Sequence, residues 1–155
     1  MKDKSDPDLL AYLTAENDYA AAVTAPLSTL ADELYADLDA RTQQTDLSVP
    51  DFVRHNDGRC FWYYLRTTEG LDYPSYHRSP ATDRDHLPDM SGIPEGEQLL
   101  LDTNELARDH TFFSLGTFEV SPNGSRLAYS VDLVGAERYQ LQFLDLTTGD
   151  RLADA

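Results

Sequence analysis

Four histidines are the residues of this sequence best suited to acid–base or nucleophilic chemistry. They are His55, His77, His86 and His110. A serine–histidine pair needs both side chains within hydrogen-bond reach and a third group that orients the imidazole. Nothing in the sequence places the four histidines together or beside such partners, so we favour structural roles for these histidines. We expect His55 in a turn and His86 in a loop to be solvated, His77 to lie on a strand and His110 near a helical turn.

An acidic segment is the only candidate for a metal loop. It contains Asp83, Asp85 and Asp89. A calcium loop places oxygen ligands at alternate positions, with a central glycine and a bidentate glutamate. Here Arg84 interrupts the acids and Leu87-Pro88 follows. The pattern therefore predicts a solvated acidic loop, and we expect no metal ion and no other cofactor.

The single cysteine, Cys60, is a poor nucleophile candidate. A reactive thiol needs a pKa lowered by a neighbouring cation or a helix N-terminus. Arg59 is adjacent, but neighbours along a strand point to opposite faces. We predict a buried structural cysteine, and with one cysteine there is no internal disulfide and no zinc-ligand spacing. This cysteine usage favours the reducing cytoplasm.

Composition narrows the possible partners. The 155 residues include 12 Lys+Arg and 28 Asp+Glu, for a formal net charge of −16. Such a surface repels phosphate backbones and anionic lipids, so nucleic acid and membranes are unfavourable partners. No apolar run approaches the ~20 residues of a membrane span, and Met1–Pro7 has no apolar stretch typical of a secretory signal. The excess of aspartate over glutamate and of arginine over lysine favours a salt-adapted protein.

Two amphipathic helices are predicted first, over residues 7–24 and 26–42. Asp6 is a suitable N-cap, followed by Pro7 at the first helical position. Pro26 interrupts the pattern and predicts a kink or a second helix start. The second segment carries a leucine stripe, which consists of Leu27, Leu30, Leu34 and Leu38. Two helices cannot bury such stripes alone, so they need something else to pack against.

Residues beyond Pro50 have the composition of β-strands. The predicted strands are 59–66, 73–78, 99–101, 115–120, 126–132 and 139–146, with a helical turn at 104–107 and a loop over 79–98. Pro74 indicates an edge position or a bulge for the second strand. On the first strand, Trp62 and Tyr64 share one face, and Phe61, Tyr63 and Leu65 the other. Core on both faces is favoured over an aromatic binding platform.

A turn–strand–glycine loop–strand pattern occurs twice, at an offset of about 66 residues. It begins at Asn56-Asp57-Gly58-Arg59 and again at Asn123-Gly124-Ser125-Arg126. Asn123-Gly124-Ser125 also fits the glycosylation pattern, but we interpret it as a hairpin turn. Propeller blades repeat at roughly 40–50 residues, and the long loop over 79–98 accounts for much of the excess. The pattern favours consecutive blades of a propeller, with little more than one blade present.

The sequence resembles the N-terminal part of the prolyl oligopeptidase family of serine peptidases, nearest to its oligopeptidase B branch. The likeness runs from about Asp8 to Gly149. It is carried by Tyr12-Leu13-Thr14-Ala15-Glu16-Asn17, Leu34-Tyr35, residues 44–50 (QTDLSVP), Trp62-Tyr63-Tyr64, Tyr73-Pro74, Leu100-Leu101-Asp102, residues 112–116 (FFSLG), residues 120–124 (VSPNG) and Leu127-Ala128-Tyr129-Ser130. The helical segment, the QTDLSVP linker and the aromatic strand together are specific.

The resemblance implies N-terminal helices followed by antiparallel strands of the first part of a seven-bladed β-propeller. It implies a helical arm over 1–47 that packs on an α/β-hydrolase domain, and a truncated propeller over 48–155. The implied substrates are short peptides, cleaved after basic residues in the oligopeptidase B branch, with the propeller as a size filter. No serine here lies in a G-x-S-x-G frame, so we predict an inactive N-terminal portion without catalytic residues. The alternative is a non-enzymatic module that assembles through its helical stripe and open strand edges.

Overall fold

The computed structural model describes residues 5–153 of the chain. These fall into two compact units that divide between Gln43 and Gln44. Residues 1–4, considered above for a secretory signal, lie outside the described residues, as do residues 154 and 155.

The first unit is helical. α1 spans Pro7–Thr24, a 3-10 turn spans Ala25–Leu27, and α2 spans Ser28–Asp39. The Asp6 carboxylate caps α1 by accepting a 3.0 Å hydrogen bond from the Asp8 backbone N–H. The predicted helices are confirmed, although α2 begins and ends slightly inside the predicted bounds. Backbone angles remain right-handed helical at Ala25 and Ser28, and Pro26 lies in the 3-10 turn that separates the two α-helices.

The first sheet contains five strands. They are β1 (Asp46–Leu47), β2 (Asp51–Arg54), β3 (Cys60–Thr67), β4 (Ser75–Ala81) and β5 (Gln98–Asp102). All pairs are antiparallel, and both β1 and β2 pair with β3. β1 and β2 are thus two pieces of one interrupted strand, and the sheet is a four-stranded meander.

Of the two alternatives predicted for the strand beside Pro74, the edge position is wrong, because β4 pairs with both β3 and β5. A bulge does occur in its pairing with β5, between Tyr76 and His77, where Leu100 of β5 is unpaired. The predicted loop from Ser79 also begins too early, because β4 continues to Ala81. The pairing of β4 with β5 ends at Arg78. Pro80, which has no backbone N–H to donate, therefore lies where β4 pairs only with β3.

The second sheet follows a short helix, α3 (Thr103–Ala107). Its strands are β6 (Ser114–Val120), β7 (Arg126–Asp132), β8 (Gln140–Asp145) and β9 (Arg151–Leu152), each antiparallel to the next. The turn 121–125 joins β6 to β7, as predicted, and Gly124 adopts a φ of +70° there. Gly116 is required by close packing, since a Cβ would lie 2.6 Å from the Tyr139 ring.

The core lies between the two sheets. Its buried members are Leu100, Leu101, Phe113, Leu127, Tyr129, Val131 and Leu146, with half-buried Tyr63, Tyr76 and Phe118 against them. Tyr76 and Phe118 stack with ring centroids 4.4 Å apart, and Tyr73 meets Phe113 edge-on at 5.0 Å. Two four-stranded meanders packed face to face are two blades of an open propeller. This confirms the fold class and corrects the expectation of little more than one blade.

Candidate functional site

The structure separates the four histidines. His86 and His110 are exposed, as expected for a loop and for the end of a helical turn. His77 lies on β4, also as expected, and is buried. The prediction that His55 is solvated is wrong, because only 6% of His55 is exposed. The second sheet covers it, and a Cβ on Gly124 would lie 3.0 Å from the His55 ring.

Glu97 is the centre of a buried polar cluster on the other face of the first sheet. Its Oε1 accepts hydrogen bonds from the Tyr64 hydroxyl at 2.7 Å and from Arg66 Nη2 at 2.6 Å. His77 Nδ1 lies 3.5 Å from the same oxygen, and the His77 ring stacks on Tyr64. Tyr64 and His77 are direct partners across β3 and β4. The cluster thus ties the end of the 82–97 loop to the sheet.

Ser75, His77 and Glu97 reproduce the order of a serine–histidine–acid triad. Ser75 Oγ lies 2.7 Å from His77 Nε2, and the carboxylate faces the other ring nitrogen. Sequence spacing could have paired Ser75 with His77, because residues two apart on a strand share a face. Glu97 Oε1 is already occupied by Tyr64 and Arg66, and Ser75 Oγ also lies 3.4 Å from the Arg66 carbonyl. These partners make the group an anchor between strands.

Besides Tyr64, whose pKa is raised by burial, two groups in this cluster have shifted pKa values. Burial lowers the pKa of His77 below 6.5, and this outweighs the attraction of the Glu97 carboxylate. Burial alone would raise the pKa of Glu97, but the hydrogen bonds from Tyr64 and Arg66 outweigh it and hold that pKa below 4.5. For both groups the unfolded chain binds more protons over the intervening pH range, so acid favours unfolding.

We therefore expect the free energy of unfolding to decline in two stages as the pH falls. The His77 contribution, complete above pH 6.5, is lost first. The Glu97 contribution, complete above pH 4.5, is lost next. Urea unfolding of the chain at a series of pH values, followed by the fluorescence of Trp62, measures this. The substitution His77→Gln should remove the first decline and keep the second; an unchanged profile would contradict the assignment.

A second polar network joins the two sheets where the turns 55–59 and 121–125 meet. His55 Nε2 lies 2.8 Å from the Tyr63 hydroxyl, and its Nδ1 lies 3.3 Å from the Pro122 carbonyl. The Asn56 N–H donates to that carbonyl at 2.9 Å, and Arg59 Nη2 donates to the Asn123 carbonyl at 3.0 Å. The two turns recognised as a sequence repeat are therefore in direct contact.

Arg78 is the most deeply buried member of this junction, with 3% of its surface exposed. Its Nη1 donates to the Gly124 carbonyl at 2.7 Å and to the Tyr63 hydroxyl at 3.2 Å, and its Nε donates to Gln98 Oε1 at 2.9 Å. The guanidinium carbon lies 4.3 Å from the centroid of the Phe61 ring. All these partners are neutral, so Arg78 makes no ion pair here. The guanidinium instead holds the two sheets together through the directions of its hydrogen bonds.

The acidic loop is organised by its own hydrogen bonds. Asp83 Oδ1 accepts from the N–H groups of Asp85 and His86, and from His86 Nδ1 at 2.7 Å. The His86 hydrogen bond is the main cause of the lowered pKa of Asp83. Asp89 accepts from the Ser91 N–H. Between residues 5 and 153, the structure shows no group of three or more His, Cys, Asp or Glu side chains positioned for a metal ion.

The remaining residues singled out from the sequence have packing roles. Cys60 begins β3 and is buried, as predicted. Trp62 and Tyr64 are buried on one face, and Trp62 Nε1 donates to the His86 carbonyl at 3.3 Å. Phe61, Tyr63 and Leu65 are half-buried on the other face, where Tyr63 packs against the core between the sheets, so the expectation of core is confirmed for Trp62 and Tyr64 and in part for the second face. Asn123 Oδ1 accepts from Ser125 and Ser121 within the turn.

Both units expose apolar side chains. The described part of the helical unit has no buried residue, and Leu27, Leu30, Leu34 and Leu38 are all more than half exposed. In the second unit, Leu141 and Phe143 lie on the face of β8 that points away from the first sheet. In the part of the chain that the structure describes, none of the helices has the length and apolar character needed to cross a membrane.

Comparison with known proteins shows which proteins this chain resembles. Residues 1–155 match the family model of the prolyl oligopeptidase N-terminal beta-propeller domain. Dipeptidyl aminopeptidase BI of Pseudoxanthomonas mexicana is 39% identical over 97% of this chain and 21% of its own length. Protease 2 of Moraxella lacunata is 32% identical over 99% of this chain and 21% of its own length.

A solved structure shows the same fold. Oligopeptidase B from Trypanosoma brucei with covalently bound antipain, in its closed form, superposes with a TM-score of 0.67 and 32% identity. The superposition covers 92% of this chain and 19% of that one. The chain spans about a fifth of the length of the curated relatives it matches.

Proposed function

This chain belongs to the prolyl oligopeptidase family and corresponds to its N-terminal β-propeller domain, and we propose that it forms two blades of a propeller that controls the access of short peptides to a serine-peptidase domain. The helical arm predicted over residues 1–47 would pack on that domain through its helices, and the blades would begin at β1, because Asp46–Leu47 pairs with β3 and the β-sheet unit starts at Gln44. A cytoplasmic location forms part of the proposal, because a lone cysteine suits a reducing compartment.

The observation that carries the proposal is the incomplete stack of sheets. The first two sheets bury a shared core, while the far face of β8 leaves Leu141 52% and Phe143 36% exposed. Sheets with two apolar faces require a neighbour on each side, and propellers supply it by radial repetition. A further blade on Leu141 and Phe143 would continue the stack.

The strand count supports the position of the peptidase domain. Each sheet has four strand positions that alternate in direction, so the chain enters β1 and leaves β9 at the same end of the sheets. The loops 68–74, 103–113 and 133–139 lie at this end. A domain connected to both ends of the propeller chain would therefore face these loops.

Peptide hydrolysis by the longer protein that contains this chain tests the proposal. We expect cleavage of short peptides with a basic residue, abolished by a serine-directed inhibitor, and no cleavage of folded proteins. The 155-residue chain by itself should be inactive. Absence of peptidase activity in the longer protein, together with a defined oligomer in size-exclusion chromatography, would instead favour a non-enzymatic interaction module.

The substitution Phe143→Glu tests whether another sheet covers the second one. In the longer protein, burial of the new carboxylate should lower the stability by about 2–3 kcal/mol. In the 155-residue chain the side chain stays solvated, and the change should be within about 0.5 kcal/mol. Thermal unfolding of both proteins measures this, with Leu87→Glu, in the exposed loop, as the matched control. Equal effects of Phe143→Glu in both proteins would show that nothing packs there.

A further inference from the structure

An open cleft of 510 Å³ lies between the first strands of the two sheets. The first sheet contributes Val49 and Asp51, at the interruption between β1 and β2, and the half-buried rings of Tyr63 and Tyr76. The second sheet contributes the half-buried ring of Phe118. The cleft thus combines an aromatic surface from both sheets with a carboxylate from the interrupted strand.

The interruption of the first strand shapes this cleft. Ser48 replaces regular pairing: its N–H donates to the Leu65 carbonyl at 3.0 Å, and its Oγ accepts from the Leu65 N–H at 2.9 Å. Regular pairing resumes only at Asp51, opposite Tyr63. Pro50 cannot donate to a ladder, which explains why the strand breaks here.

Asp51 distinguishes the cleft from an ordinary gap between sheets. The residue is exposed, and within residues 5–153 its carboxylate has no ion-pair or hydrogen-bond partner. The aromatic faces attract cations, and so does the unpaired carboxylate. The chain's net charge of −16 adds a field of the same sign. A flat guanidinium or an ammonium group with an apolar stem matches this combination, whereas an anionic or small polar group does not.

We propose that this cleft binds an arginine or lysine side chain of a peptide. The proposal rests on the proposed function, which supplies the peptide and places the first strand of each blade beside the central channel that propellers enclose. Asp51 would pair with the cationic head, and Tyr76 and Phe118 would contact its stem. The cleft would then hold a cationic residue of the peptide by contacts that belong to the propeller itself.

Equilibrium binding of matched peptides tests the proposal in the longer protein, after a serine-directed inhibitor has blocked hydrolysis. The probes are capped pentaglycine peptides whose central residue is replaced by arginine, by its uncharged isostere citrulline, or by norleucine. Isothermal titration should show that the arginine peptide binds at least about fivefold more tightly than the citrulline peptide. Asp51→Asn should remove most of this preference, whereas Asp85→Asn, at an exposed acid of the 82–97 loop, should retain it.

Three results would overturn the proposal. Equal losses in Asp51→Asn and Asp85→Asn would show a general effect of net charge. A preference for arginine that survives Asp51→Asn would place cation binding elsewhere, and norleucine binding as tight as that of arginine would make the cleft an apolar one. Hydrolysis of the short basic peptides by the unblocked protein tests the proposed function separately, so the two can fail independently.

Discussion

Replacing Arg78 with alanine will destabilise the β-sheet unit by about 4 kcal/mol, a larger loss than most single substitutions cause. The change leaves the Gly124 carbonyl and Gln98 Oε1 without the donor that Arg78 supplies, while the Tyr63 hydroxyl loses one of two partners and keeps His55. Each buried polar group left unpaired costs about 1–3 kcal/mol. Part of this cost will be recovered by water entering the junction. Urea unfolding followed by Trp62 fluorescence measures the loss.

Arg59 offers the matched control for Arg78. It donates to the Asn123 carbonyl, one residue before the Gly124 carbonyl that Arg78 reaches, but its side chain is 53% exposed. Water replaces an exposed donor, so Arg59→Ala should cost less than about 1 kcal/mol. Arg78→Lys should fall between the two, because an ammonium cannot reproduce the planar fork. If Arg59→Ala and Arg78→Ala cost the same, burial is not what gives Arg78 its importance.

The junction between the sheets is asymmetric in its chemistry. Side chains of the first sheet donate, and backbone carbonyls of the second sheet accept, at Pro122, Asn123, Gly124 and Leu146. Carbonyl oxygens do not depend on side-chain identity, so substitutions at Pro122, Asn123 or Leu146 change these acceptors less than substitutions of the donors do. Gly124 is the exception, because its φ of +70° and the nearby His55 ring disfavour a side chain there. Among the donors, Arg78 is the most buried.

Local sequence patterns predicted most of the elements. The Asp6-Pro7 cap signal and the leucine stripe of α2 depend on neighbours within a few residues, and so do the aromatic alternation of β3 and the Ser121–Gly124 turn. The strand pieces β1, β2 and β9 were not predicted, because two to four residues carry no periodicity. Counting blades failed for the same reason, since these pieces complete both sheets.

Features that depend on distant partners could not be predicted. His55 precedes an Asn-Asp-Gly turn, a pattern that predicts exposure to solvent. The turn 121–125 nevertheless covers His55 and buries it. Glu97 looks like one more acid of a polar loop, and only the fold places it beside Tyr64, Arg66 and His77. Asp51 was not singled out either, because the aromatic residues that line the same cleft come from three other strands. In each case the informative partner lies far along the chain.

Glu97→Ala is the second substitution with a large expected effect, about 3–4 kcal/mol. It leaves the Arg66 guanidinium, only 22% exposed, without its carboxylate, and the buried Tyr64 hydroxyl without an acceptor. Loss of one partner of a buried pair costs about 3–5 kcal/mol, because the remaining charge is uncompensated. Because Arg66 is partly exposed, we expect the loss of stability to lie at the lower end of this range. Urea unfolding at pH 7.5 measures it.

Glu97→Gln separates the charge of this residue from its hydrogen bonds. A glutamine oxygen can still accept from Tyr64 and Arg66, so the loss at pH 7.5 should be about half that of Glu97→Ala. The decline in stability that begins near pH 4.5 should become smaller, because the depressed carboxyl pKa of Glu97 is gone, while Asp83 and the other aspartates with lowered pKa values keep a decline at lower pH. The His77 decline below pH 6.5 should remain, since burial is its main cause. A Glu97→Gln protein with the wild-type acid profile would show that other carboxylates cause the acid sensitivity.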